Sequence, residues 1–265
     1  KSSDLIIIAN GIKSDLRSYV DKSAHPQYAE YVGWRGVVNE EEISNKSLET
    51  LSNYFIIVLP HNQQIACYPI AGEGENPFEI GKRRINWIWY KPIPTKLLKE
   101  LLLGKSGQQY EDGIPPNEIR QEIISDLFEE AQNNLPPQLV ELVKATQQPL
   151  IQPIFDLQSM KMHNSRVVTI GDAAFTARPH VGMGVTKAAM DAFKLSEYLG
   201  DNFNLDKLSK WEQLRLKESQ FIVNRSRKLG NYLSLPKENE NLIMPNIQNV
   251  LKDTAISLYD IEDYQ

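Results

Sequence analysis

Four apolar residues from Leu5 to Ile8 stop at Asn10-Gly11, a pattern that predicts a short buried strand closing in a turn, followed by a basic helix or loop through Arg17. From about Tyr28 to Trp89 the apolar positions fall into short β-favouring runs ("YVGWRGVV", "YFIIVLP", "QQIACYPI", "RRINWIWY"). Clusters of Asn, Gly, Pro and Glu separate them, which predicts an antiparallel sheet. Alternation puts Trp87 and Trp89 on one face of it and Tyr90 on the other. Between Pro92 and Thr146 the period lengthens. "TKLLKELLL" and "PPNEIRQEIISDLFEEAQNNL" read as helices, the second starting at Pro116 with Ile119, Ile123, Leu127 and Ala131 at helical spacing. "PLIQPIFDLQSM" predicts a strand returning across the sheet, and Leu205 to Leu233 an amphipathic helix carrying Leu208, Trp211 and Leu214.

The stretch "VVTIGDAAFTARPHVGMGVTKAAMDAF" stands apart. Val167 to Ile170 read as a buried strand and the residues after Thr186 as a helix, so a ligand turn is expected between them. In an open α/β layer, ligands bind where a strand's carboxyl end meets a helix amino terminus, because backbone N–H groups and the helix dipole face outward there. Asp172 sits at that strand end, where a carboxylate accepts strong hydrogen bonds from sugar or polyol hydroxyls. Gly171, Ala173 and Ala174 leave room for close approach, Pro179 fixes the chain's course, and Gly182 and Gly184 let backbone come against something flat. The dinucleotide fingerprint needs a third glycine where Lys187 stands, and the phosphate-binding P-loop needs Gly-Lys-Ser/Thr, so neither fits.

Composition narrows the partners. The 265 residues are 41% hydrophobic and 24% charged, with a net charge of -5. Basic residues are interspersed with acidic ones, which argues against a nucleic-acid surface. No apolar run approaches a membrane span and no signal segment opens the chain. Cys67 is the one cysteine, which excludes a disulfide framework or cysteine-based zinc site and fits a reducing cytoplasm. His25, His61, His163 and His180 lack metal-ligand spacing, so no metal is expected.

The residues from Gly171 to Ala174 with Pro179, Gly182 and Gly184 match in order and spacing the second flavin motif of the class A FAD-dependent aromatic monooxygenases, the para-hydroxybenzoate hydroxylase fold. Asp191-Ala192 fits that family's helix. "YVGWRG", "RRINWIWY", "IQPIFDL" and "ARPHVGMGVTKAAMDA" are similar to its 2,6-dihydroxypyridine 3-monooxygenase branch, and the resemblance runs from Asp4 to about Leu229. It implies an α/β (α+β) fold: part of a Rossmann-like FAD-binding domain over 1–24 and 161–200, an inserted antiparallel-sheet substrate domain over 25–160, and a C-terminal helical segment over 201–265.

By the same resemblance Asp172 holds a ribityl hydroxyl of FAD, and the backbone of Val181, Gly182, Met183 and Gly184 faces the flavin's pyrimidine edge. Asn10, Gly11 and Arg17 resemble the family's middle motif, which contacts flavin and pyridine nucleotide, with Asn10 in place of the usual aspartate. The family's Gly-x-Gly-x-x-Gly turn is expected upstream of Lys1. Tyr68, Trp87, Trp89, Pro179 and His180 are the candidate substrate contacts. The implied function is NAD(P)H-dependent hydroxylation of a small aromatic or N-heteroaromatic ring by O2 through a flavin hydroperoxide, with no catalytic side chain assigned. Two other readings stay open: a non-catalytic flavin-fold binding protein, and a halogenase, from the partial Trp-x-Trp match in "WIWYKP". A homodimer also stays open.

Overall fold

The computed structural model describes residues 3–200, 204–233 and 246–254. In chain order the strands are β1 (Ile6–Ile8), β2 (Gln27–Asn39), β3 (Ile56–Val58), β4 (Gln64–Ile70), β5 (Arg84–Pro92), β6 (Leu150–Gln158), β7 (His163–Asn164), β8 (Val167–Thr169) and β9 (Phe175–Thr176). The α-helices are α1 (Asn45–Leu51), α2 (Thr95–Leu101), α3 (Gln121–Asn134), α4 (Pro137–Ala145), α5 (Gly184–Leu199), α6 (Leu205–Gly230) and α7 (Ile247–Thr254). Two compact units result: Lys1–Ala29 with Phe155–Asn231 and Pro245–Gln265, and Glu30–Ile154 with Tyr232–Met244. The chain passes from one to the other within β2 and within β6.

In the first unit β1 pairs parallel with β8, Ile6 to Val167 through Ile8 to Thr169, and β7 pairs antiparallel with β8. Parallel pairing makes both strands end on the same side, so the Asn10-Gly11 and Gly171-Asp172 turns leave the sheet together. Beneath them Met162, Val168, Ala174 and Phe175 pack with Leu195 of α5 and Leu208, Trp211 and Val223 of α6. Helix α6 starts where the Asn204 side chain accepts the N–H groups of Asp206 and Lys207, satisfying donors that lack intrahelical partners.

In the second unit the strands run in the order β3-β4-β5-β2-β6. Pairing of β2 with β5 sets Gly33 opposite Tyr90 and Gly36 opposite Trp87, and β4 continues the rows with Gln64 beside Tyr90 and Tyr68 beside Asn86. Trp34, Trp87 and Trp89 share one core with Leu127, Ala131, Leu142 and Val143 of α3 and α4, so helices cover that face. The contact is close enough to require glycine at 36, where a Cβ would lie 2.5 Å from Trp87 Nε1. On the opposite face a Cβ at Gly33 would lie 3.1 Å from Ile88 and 3.4 Å from Tyr90.

The single helix expected from Pro116 is three pieces. Pro116–Glu118 is one 3-10 turn, Ile119 and Arg120 are extended, and α3 begins at Gln121. The Glu118 carbonyl accepts the N–H of Lys105 at 2.9 Å, which takes the acceptor that a continuing helix would use. Leu135 is then held extended ahead of Pro136, as residues before proline are, and Pro137 opens α4. Among the described residues no helix is long and apolar enough to cross a membrane.

Candidate functional site

Strand β8 delivers the chain to a 3-10 turn, Gly171–Ala173, in which Gly171 has φ of 60°. That left-handed conformation favours glycine, and α5 packs against it, since a Cβ on Gly171 would lie 3.3 Å from the Cβ of Ala188. The Gly171 N–H donates to Asp191 Oδ2 at 2.8 Å, and Asp191 Oδ1 accepts Arg215 Nε at 2.7 Å. Asp191, Lys187 and Arg215 are buried here, and Arg215 also pairs with Glu218. The turn is therefore fixed from below by charges on α5 and α6.

Asp172 differs from Asp191 in every respect. It is exposed, and no donor among the described residues bonds its carboxylate. Partial burial and the nearby Asp191 push its carboxyl up from the ordinary aspartate value, and Lys187 pulls it down. An exposed carboxylate at a strand end, with its neighbours immobilised, can accept hydrogen bonds from hydroxyl groups.

Beyond it the chain crosses "TARPHVGMG" to α5. The Arg178 N–H donates to Ser226 Oγ at 3.0 Å, and Arg178 Nε donates to Asp156 Oδ2 at 2.8 Å. Arg227 donates to the other oxygen of the same buried aspartate. Pro179–Val181 form a 3-10 turn ended by Gly182 at φ of 63°. The side chains of Val181 and Met183 enter a small core with Ile222 and Leu229, so these residues offer backbone rather than side chain to a ligand. Helix α5 begins at Gly184 with no side-chain cap, which leaves its first N–H groups open. Room for a flat group is present, because a Cβ at Gly182 or Gly184 would meet nothing within 4 Å. His180 is buried, and burial with the Arg178 charge beside it pushes its pKa down to about 3. It is a neutral imidazole at working pH and carries no charge to a ligand.

The Asn10-Gly11 turn lies on the same side. Asn10 is exposed and Gly11 takes φ of 83° with open space around it. Arg17 points inward instead: its Nε donates to the Ala173 carbonyl at 2.7 Å and its Nη2 to the Ile12 carbonyl. Its charged head joins the two turns through backbone.

In the second unit the structure separates the aromatic candidates. Trp87 and Trp89 are 0% exposed in the helix-covered core, with Trp87 Nε1 donating to Thr146 and Trp89 Nε1 to Gln63. Sequence alternation gives their shared face correctly, but helices occupy that face, so these two are packing residues and not a ligand wall. Tyr68 is half-buried on the opposite face and stacks on Phe55 at 5.1 Å. That face carries Tyr90, as alternation expects, together with residues the sequence reading missed. Tyr90 meets Tyr31 edge-on at 5.9 Å, and Tyr232 donates to Gln64 at 2.8 Å. Arg35 faces the Tyr90 hydroxyl, and its buried Nε–H has no acceptor among the described residues. Arg35, Val37, Asn39, Asn86, Gln147 and Gln148 border an open depression of about 460 Å³. Period-two spacing places Arg35 and Asn86 on Tyr90's side, the one signal that could have found them.

Residues 28–156 match the model of the FAD binding domain-like family. The chain is 28% identical over 232 residues to a 2,6-dihydroxypyridine 3-monooxygenase of Paenarthrobacter nicotinovorans, covering 86% of this chain and 56% of that protein. The solved 2,6-dihydroxypyridine-3-hydroxylase of Arthrobacter nicotinovorans superposes with a TM-score of 0.79 at 26% identity, covering 91% of this chain and 63% of that one. HpxO of Klebsiella pneumoniae, solved with FAD and uric acid, shares the fold with a TM-score of 0.67 at 22% identity, covering 88% of this chain and 52% of that one. The chain thus spans little more than half the length of the curated relative. In fold and in sequence the chain is similar to these dihydroxypyridine hydroxylases, and in fold to HpxO.

Proposed function

We propose that the full protein is an FAD-dependent monooxygenase that uses NAD(P)H and O2 to hydroxylate an aromatic or N-heteroaromatic ring of the hydroxypyridine kind. The observation that carries the reading is Asp172: an exposed carboxylate without a protein donor, on an immobilised turn, ahead of a glycine-lined and uncapped helix start. Its carboxylate accepts a ribityl hydroxyl, which needs an acceptor-only group with free lone pairs. The uncapped N–H groups at the start of α5, from Gly184, and the amino-terminal dipole of that helix stabilise negative charge at the pyrimidine edge. Asn10 and Gly11 supply hydrogen-bonding backbone and room beside them, and Arg17 holds both turns in register.

When bound and reduced, FAD supplies the oxygen-transfer chemistry; overall, ring C–H, O2, NAD(P)H and a proton become ring C–OH, water and NAD(P)+. The chain's part is to orient the ring and keep water away. On the second unit the open depression suits a polar ring: Arg35 and Asn86 border it and give donors to ring oxygens or nitrogen, and half-buried Tyr68, paired with Asn86, gives aromatic surface next to it. Pro179 and His180 line the flavin turn, where the neutral imidazole offers shape and hydrogen bonding.

The reading is tested by NAD(P)H oxidation and oxygen uptake of the full-length protein across hydroxypyridines, hydroxybenzoates, phenols and indoles, with products identified by mass. It predicts substrate-stimulated turnover and a gain of one oxygen on a heteroaromatic ring. A halide-dependent product, or no stimulation by any ring compound, contradicts it.

A further inference from the structure

Lys187 is 0% exposed, and an amine so completely removed from water is costly unless a specific charge partner retains it. Its Nζ lies 3.5 Å from Asp191 Oδ2, one helical turn along α5, and has no hydrogen-bond acceptor in ideal geometry among the described residues. The same Asp191 Oδ2 receives the N–H of Gly171, the residue before Asp172. The charged groups around the turn are Asp172 itself, Lys187 and Asp191 on α5, Arg215 and Glu218 on α6, and Arg17, whose Nε donates to the Ala173 carbonyl. Arg215 is already committed to Asp191 Oδ1 and Glu218. Arg17 is committed to the Ala173 and Ile12 carbonyls, so Lys187 is the cation tied to the turn through Asp191 alone.

We propose that Lys187 is a positioning residue for Asp172: a buried cation that braces the Gly171–Asp172 turn through Asp191 and keeps the Asp172 carboxylate ionised, as an acceptor of ligand hydroxyls must be. This rests on the flavin reading of Asp172 for its consequence, but the coupling of the two residues stands without it. Burial pulls Lys187 down from the ordinary lysine value, and Asp191 and Asp172 hold it up. Coupling is reciprocal, so removing either charge must move the titration of the other.

In full-length protein with 15N-labelled lysine, Asp172→Asn alters an exposed side chain and leaves the fold intact. It should make Lys187 lose its proton at a lower pH; an unmoved Lys187 titration overturns the proposal. In Lys187→Met, FAD affinity measured by fluorescence should be weaker than wild type at pH 8, from loss of the brace, and the deficit should widen about tenfold by pH 5.5, as one lost opposite charge raises a carboxylate by about one pH unit or more. Lys187→Gln serves as the second variant if methionine is not accommodated. Equal weakening at every pH would mean a packing role only and overturns the proposal. If Asp172→Asn shifts Lys187 but leaves FAD affinity unchanged, the coupling holds and the flavin reading of Asp172 is what fails.

Discussion

Arg17 and Ala173 lie 156 positions apart and are joined by a 2.7 Å hydrogen bond from the guanidinium Nε to the Ala173 carbonyl. A second bond from Arg17 reaches Ile12. One buried cation therefore ties the turn after β1 to the turn after β8, and parallel pairing of those strands brings the two within its span. Arg17→Ala should cost about 1.5–3 kcal/mol, the range for hydrogen bonds to a charged group, measured by denaturant unfolding. A change within about 0.5 kcal/mol, typical of a surface substitution, would show that the brace is not needed.

Asp191→Ala should be more severe. It strips both the Gly171 N–H and the Arg215 guanidinium of their acceptor, leaving charge buried and underpaired. Breaking such a pair from one side costs about 3–5 kcal/mol. Thermal melts of the two variants should rank Asp191→Ala below Arg17→Ala, and the reverse order would contradict the charge network described for α5 and α6.

His180 makes stability depend on acid. Its native pKa of about 3 lies below the unfolded histidine value, so between those two values the unfolded chain binds the extra proton. Stability from this group is complete above the unfolded value and is lost as pH falls toward 3, by about 1.4 kcal/mol per pH unit. Urea unfolding at pH 7, 6, 5 and 4 should show this slope reduced in His180→Gln. Parallel profiles for the two proteins would mean that His180 is not held neutral.

The second unit offers a test of packing against binding. Gly36→Ala pushes a methyl onto Trp87 and Thr146 and should destabilise by about 1–3 kcal/mol. Trp87→Phe removes the bond to Thr146 and should also lower stability while leaving the KM for an aromatic substrate unchanged. A KM raised severalfold by Trp87→Phe at full folding would return that indole to the ligand wall.

Cys67 is buried, and burial pushes its thiol up to about 12. The thiolate is the reactive form, so the native protein should fail to react with a disulfide reagent at pH 8 and should react fully after unfolding. Prompt labelling of native protein would contradict its place in the sheet core.

The strands, the Gly171–Asp172 turn and the glycine-bounded helix start are legible in the sequence because each depends on local signals: a short apolar run, a turn residue, a spacing of glycines. The division of Trp87 and Trp89 from Tyr90 is legible for the same reason. Which of the two faces the helices cover is not, because it depends on α3 and α4 packing from elsewhere in the chain, so the burial of Trp87 and Trp89 beneath them is not legible either. The break at Ile119 and Arg120 is also hidden, since it comes from a backbone bond between Glu118 and Lys105. Lys187 stands in the sequence only as the residue that spoils a glycine fingerprint. Its i,i+4 partner Asp191 is visible there, but the burial of both depends on Arg215 of α6.

The central claim is that Asp172 is the ligand-facing carboxylate of a flavin turn, and titration of FAD into full-length wild type and Asp172→Ala by flavin fluorescence tests it most directly. Loss of one charge-assisted acceptor should weaken binding by about 1.5–3 kcal/mol, roughly tenfold to a hundredfold in Kd. Equal FAD affinity in the two proteins would contradict the account.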